Sequence, residues 1–227
     1  MARTHFTREL QKIQDDLLVL GSMVMEALEA SVDALRKRDL DAAKRIIKYD
    51  RALNARRYDL EDRCLTLIAT QQPTAGDLRL LAAVLEISTE LERIGDYAKG
   101  IGKITLYIGY EQALKPLAEI PRMCKLATSM LRRALDSFIH QDVETARAIP
   151  KEDDELDALY NRTNRELINL IIANPACIDH ANYLSWVAHN LERAGDRVTN
   201  ICERVIYTAT GELVEFDANE PLLSGVN

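Results

Sequence analysis

The sequence predicts an all-α fold of two tandem three-helix bundles related by internal duplication, on three observations. Aliphatic residues recur at steps of three and four along most of the chain, the period of an amphipathic helix. Aromatics make up only 5% of the 227 residues, and nine glycines and six prolines are too few to punctuate many short strands. Finally, the hexapeptide Leu91-Glu92-Arg93-Ile94-Gly95-Asp96 returns as Leu191-Glu192-Arg193-Ala194-Gly195-Asp196, with five of its six positions identical.

The first helix is predicted from Thr7 to about Lys37, along the stripe Leu10, Ile13, Leu17, Leu20, Val24, Leu28, Val32 and Leu35. Asp39 can cap a second, which runs to about Gln71 through Ala43, Ile46, Leu53, Leu60, Cys64 and Leu67. Gln72-Pro73 ends it, because a residue before proline is pushed out of helical geometry. Thr74 opens a third helix, which reaches about Tyr110. Lys115-Pro116 starts a second round. It comprises a fourth helix to His140, a fifth from Asp142 to about Asn174, a break at Asn174-Pro175, and a sixth from about Asp179 to Thr210. Gly211 is the stop signal.

The halves align beyond the hexapeptide. Arg38-Asp39-Leu40 matches Gln141-Asp142-Val143, and Asp50-Arg51-Ala52-Leu53 matches Asp153-Asp154-Glu155-Leu156 at the same offset. The expected organisation is a first bundle over residues 1–112, a second over 113–210, and a mobile acidic tail over 211–227. Two bundles placed in tandem would make an elongated molecule.

Composition excludes several functions. A net charge of −7, with basic runs such as Arg36-Lys37-Arg38 set among acids, does not suit nucleic acid. Cys64, Cys124, Cys177 and Cys202 form no Cys-x-x-Cys pair and sit on apolar helical stripes, which predicts reduced core thiols in a cytoplasmic protein. No stretch approaches the roughly 18 uninterrupted apolar residues of a membrane span, so membrane insertion is not expected.

The chemistry lies in the repeated hexapeptide. Residues four apart on a helix project together, so Glu92 pairs with Asp96 and Glu192 with Asp196. At about 100° per residue, His189, Glu192, Asp196, Asn200 and Glu203 share one sector, while Leu191, Ala194, Val198, Ile201 and Val205 form the apolar side. The acids should therefore face outward. Such a row is either a solvated face or a set of oxygen ligands for a hard or borderline divalent cation. Gly95 and Gly195 cost a helix about 1 kcal/mol each relative to alanine, so they call for close approach of another backbone or room for a ligand.

The two rows differ. Lys99 and Lys103 share the first sector, where the second has Thr199 and Glu203, so the second should hold metal more tightly. Asp50 and Asp153 interrupt the apolar stripes of the middle helices and require partners once buried. Arg93 and Arg193 are the candidates for structural ion pairs there, with Asp50 and Asp153 as further metal ligands in the alternative reading.

The tandem units, the Gln71-Gln72-Pro73 and Asp77-Leu78-Arg79 turn and the paired hexapeptides resemble the PhoU family of phosphate-signalling regulators over about residues 5–210. The second repeat departs from that pattern with Asn174-Pro175-Ala176 in place of the Gln-Gln-Pro turn. The resemblance implies a cytoplasmic, non-enzymatic repressor of the phosphate-starvation response. It implies an adaptor between the ATPase of a phosphate ABC transporter and a sensor histidine kinase, commonly a homodimer. It also implies a Glu/Asp-x-x-x-Asp metal motif, matched by Glu92/Asp96 and Glu192/Asp196, for iron or zinc before magnesium or manganese. Two other readings remain at this stage, a metal-free helical dimerisation scaffold and a carboxylate-metal enzyme. No Glu-x-x-His of the ferritin-like kind occurs, and only His189 offers itself as an acid or base.

Overall fold

The computed structural model describes residues 2–110 and 118–216 and contains, in order, helices α1 (Ala2–Lys37), α2 (Leu40–Gln71), α3 (Ala75–Ile108), α4 (Glu119–His140), α5 (Val143–Ala148), α6 (Pro150–Ala173) and α7 (Ile178–Thr210), with one 3-10 turn at Pro175–Cys177. The predicted restart at Lys115-Pro116 and the last eleven residues of the predicted tail lie outside the described residues.

The stripe of α1 is buried from Ile13 to Leu35 as its spacing predicts. The helix ends at Arg38, in the left-handed region at φ 55°, where the Asp39 N–H donates back to the Ala34 carbonyl at 2.9 Å. Asp39 then caps α2 by accepting from the N–H groups of Asp41 and Ala42 at 3.1 and 2.8 Å. The same turn is built again in the second half. Gln141 takes φ 54°, the Asp142 N–H donates to Ser137, and the Asp142 side chain accepts from the Thr145 N–H. Thr74 opens α3 with its N–H donating to Asp77 at 3.1 Å. Gly211, at φ 79°, closes α7 with its N–H on the Tyr207 carbonyl.

The fifth predicted helix is not continuous. Pro150 has no N–H for the carbonyl of Ala146, so the helix breaks at Ile149 and restarts as α6, with the Glu152 N–H on the Ile149 carbonyl at 2.9 Å. At the Asn174-Pro175 break, the Asn174 side chain accepts from Ala176 and the 3-10 turn leads directly into Ile178.

Helices α1, α3, α4 and α7 form a central four-helix arrangement, each packed on two of the others. Helix α2 covers the α1/α3 side, and α5 and α6 cover the α4/α7 side. The halves therefore lie flank to flank, and one continuous apolar core runs through both, from Leu17, Leu20 and Leu91 to Leu131, Leu191 and Ile201. Helices α3 and α7 are antiparallel neighbours: Glu86 pairs with Arg204 at 2.9 Å, Glu90 with Arg197 at 3.4 Å, and the rings of Tyr107 and Tyr183 stack 6.0 Å apart. Residues 211–216 do not stand free. Val214 and Phe216 pack on the core, and the Phe216 N–H donates to Glu203 at 3.1 Å.

Candidate metal centre

Each hexapeptide sits midway along the last helix of its unit, with Leu91, Ile94, Leu191 and Ala194 turned into the core. The acids lie on the side of each helix away from the core stripe, as the helical arithmetic suggests. They line the groove between the last helix and the middle helix of the same repeat, α3 against α2 and α7 against α6. Asp96 is half exposed, but the Glu192 side chain keeps only 21% of its surface. Burial pushes the titration of Glu92 and Glu192 above the ordinary carboxylate range, and the neighbouring Asp96 and Asp196 charges push it further.

The glycines explain how the groove can be so close. A Cβ on Gly95 would stand 2.9 Å from Leu53 Cδ1; one on Gly195 would stand 2.3 Å from Asp153 Oδ1 and 2.5 Å from Leu156 Cδ2. The expected close backbone is replaced by side chains of the middle helix. Gly195 in particular makes the space in which the Asp153 carboxylate lies.

In the first cluster, Asp50 is buried and its partner is Lys99, with Nζ 2.8 Å from Asp50 Oδ2 and 3.2 Å from Asp96 Oδ1. Asn54 donates to the same Asp50 oxygen at 3.3 Å. Its hydrogen bond to Asp50 holds the Lys99 ammonium in its charged form, above the ordinary lysine range. The Arg93–Asp50 pair expected from the sequence is therefore corrected. Arg93 is exposed, and Lys99, six residues on, stands on the side of α3 from which its ammonium reaches across to α2.

In the second cluster, Arg193 forms an ion pair with Asp196 on its own helix, Nε to Oδ2 3.3 Å. His189 Nδ1 is 3.2 Å from Glu192 Oε2, between the rings of Tyr160 and Trp186. Asp157, which the sequence reading passed over, stands one turn after Asp153 on α6, and its charge acts on Glu192. Its i,i+4 spacing from Asp153 was the available signal. Asn200 and Glu203 are not brought to this cluster. Asn200 donates to Glu90 of α3 at 3.3 Å, and Glu203 accepts from Phe216. They line a separate cleft of about 460 Å³ between α3 and α7, with Glu86, Thr89 and Arg204.

For a metal ion the two clusters fit unequally. The second offers hard oxygen donors, and Glu192 Oε2 is buried beside His189 Nδ1. The first already holds a cation, the Lys99 ammonium. Among the described residues no three His, Cys, Asp or Glu side chains converge on a single point, so neither cluster is a preformed cage. The thiols do not contribute. All four are buried and unbridged, and burial pushes Cys64, Cys124 and Cys202 up to about 12.

A duplicated three-helix unit with an acidic groove on each outer side defines a class of helical repeat protein whose chemistry resides in its surface grooves. The chain belongs to the PhoU family: the PhoU domain model matches twice, over residues 17–105 and 120–205, once for each unit. It is 34% identical over 208 residues to the phosphate-specific transport system accessory protein PhoU homolog of Aquifex aeolicus, covering 92% of this chain and 94% of that one. It is 32% identical to the phosphate-specific transport system accessory protein PhoU of Escherichia coli K12, over 91% of this chain and 86% of that one. The crystal structure of the phosphate transport system regulatory protein PhoU from Streptococcus pneumoniae superposes with a TM-score of 0.86 at 32% identity, over 92% of this chain and 99% of that one. PhoU from Pseudomonas aeruginosa gives the same TM-score at 29% identity, over 91% and 100%.

Proposed function

We propose that this protein is a cytoplasmic regulatory accessory of phosphate uptake that restrains the phosphate-starvation response when phosphate is plentiful. The observation that carries the reading is the match of both repeats, across nearly the whole length of the relatives, to accessory proteins of phosphate-specific transport systems. In this reading the protein works by docking, as an adaptor between the ATPase of the transporter and a sensor histidine kinase, and as a homodimer. No helix among the described residues is long and apolar enough to cross a membrane, which accords with an accessory that meets a transporter from outside the bilayer. Deleting the gene in its host should derepress phosphate-responsive genes in high phosphate; an unchanged response would sink the assignment. Co-purification of the tagged chain with the host's transporter ATPase and sensor kinase tests the adaptor role directly.

The same reading places a divalent or iron-type cation at the second cluster, held by Glu192 and Asp196 with Asp153 or Asp157 from α6 and with water or a partner completing the shell. It rests on the chemistry of the donors and on the buried Glu192 oxygen. Metal content after gentle purification should fall in Glu192→Ala/Asp196→Ala relative to wild type. Equal content in the two proteins would favour the metal-free scaffold, a reading that the scattered arrangement of the acids also suits.

A further inference from the structure

The two clusters are built on one backbone frame, and two of five equivalent positions set them apart. In the first repeat three carboxylates, Asp50, Glu92 and Asp96, occur with Lys99 and Asn54. In the second, the same positions hold four carboxylates, Asp153, Asp157, Glu192 and Asp196, with Thr199 where Lys99 stands. The exchange reverses the charge logic of the groove while leaving its walls alike.

Lys99 behaves in the first groove as a small bound cation would. An ammonium is a compact point charge with three donors. Here it starts on α3, crosses to α2, and bridges Asp50 and Asp96 at 2.8 and 3.2 Å. The Asp50 side chain is only 9% exposed, and a carboxylate so buried calls for a positive or hydrogen-bonding partner. At the equivalent place in the second repeat no side-chain ammonium exists. Thr199 is 4% exposed and its hydroxyl oxygen has no hydrogen-bond partner, and Glu192 Oε2 is buried facing His189 Nδ1 of its own helix. Arg193 and His189 offset part of the charge, approaching Asp196 and Glu192 from their own helix.

We propose that Lys99 is a tethered cation occupying the place a metal would take in the first repeat, and that this one side chain keeps that repeat from loading. The proposal rests on the metal reading of the second repeat, from which its test separates it. The full chain, freed of metal, is dialysed in separate experiments against Mn²⁺, Zn²⁺ and anaerobic Fe²⁺. Bound metal is counted per chain, and thermal unfolding of the metal-free protein is followed in parallel.

Glu92→Ala/Asp96→Ala should leave the wild-type metal content unchanged, whereas Thr199→Lys should lower it by bringing a lysine to the second groove. Lys99→Thr, and more fully Lys99→Thr/Asn54→Asp, should gain up to one further ion per chain, lost again on adding Asp96→Ala. Lys99→Thr should also melt lower than wild type without metal and recover when metal is added, while Lys99→Arg should gain no ion. A folded Lys99→Thr/Asn54→Asp protein with wild-type metal content would overturn the proposal. So would loss of wild-type metal on removing Glu92 and Asp96, which would leave the metal reading intact. An ion gained by Lys99→Thr/Asn54→Asp in a protein whose wild type binds none would uphold the role of Lys99 and remove the metal from the second repeat. Should the first-repeat variants not fold, a folded Thr199→Lys with undiminished metal overturns the proposal from the other side.

Discussion

Gly95 and Gly195 occupy equivalent positions but are held by unequal constraints. A helix gains about 1 kcal/mol when an interior glycine becomes alanine, so the sign of each substitution depends on what the new methyl meets. At Gly95 it meets one terminal Leu53 methyl at 2.9 Å, which can rotate aside. At Gly195 it meets the Asp153 carboxylate and Leu156 at once, at 2.3 and 2.5 Å, and overpacking of that kind costs about 1–3 kcal/mol. Gly95→Ala should therefore be near neutral in urea unfolding, while Gly195→Ala should shift the midpoint down. Glu192 supplies a second prediction. Its folded-state titration is raised above the ordinary 4.5, so ionising it opposes folding. The contribution of this group is favourable below pH 4.5, where it is protonated in both states, and is lost as pH rises through the raised value. Glu192→Gln should then stabilise the metal-free protein at pH 7, and the gain should vanish below about pH 4.5, read from urea midpoints at the two pH values.

At the scale of the elements, the turns made the duplication visible in physical form. Arg38-Asp39 and Gln141-Asp142 share a left-handed residue followed by a capping aspartate, and each fixes how the middle helix leaves the first. Removing a side-chain cap costs about 1 kcal/mol, so Asp39→Ala should lose about that much stability, and Asp142→Ala should act in the same direction. The helices themselves were legible because apolar period and burial coincide, as in the stripe from Ile13 to Leu35. The break at Pro150 was not, because the apolar positions Ile149 and Leu156 keep helical spacing across it. Periodicity registers a face, whereas the missing N–H of a proline interrupts only the backbone ladder. The candidate site was legible to the same degree. The rows at Glu92/Asp96 and Glu192/Asp196 follow from i,i+4 geometry, but the choice of Lys99 over Arg93 as the partner of Asp50 depends on reach across two helices, which spacing along one helix cannot express. The outward sector that held Asn200 and Glu203 with Glu192 failed for a related reason. Neighbouring helices divide that face, α6 taking one part and α3 with the 211–216 segment the other.

At the scale of the whole molecule, the arrangement of the two units decides how stability is shared between them. Side by side, α1 and α3 of the first unit each bury an apolar face on α4 and α7 of the second, and the paired ends Glu86–Arg204 and Glu90–Arg197 lock the register. Neither unit keeps its core closed when the other is removed, since Leu17, Leu91, Leu131 and Leu191 belong to one continuous cluster. A shared core of this kind makes the halves a single cooperative unit, for which calorimetric and van't Hoff enthalpies agree. Calorimetry of the metal-free chain should therefore give one transition, with the two enthalpies equal. Asp39→Ala, although confined to the first unit, should move that whole transition down by about 2–4 °C, the shift expected from about 1 kcal/mol in a domain of this size. Two separated transitions, with only the lower one responding to Asp39→Ala, would mean that the units fold independently. The α3–α7 contact would then be a docking surface between two domains rather than part of the core.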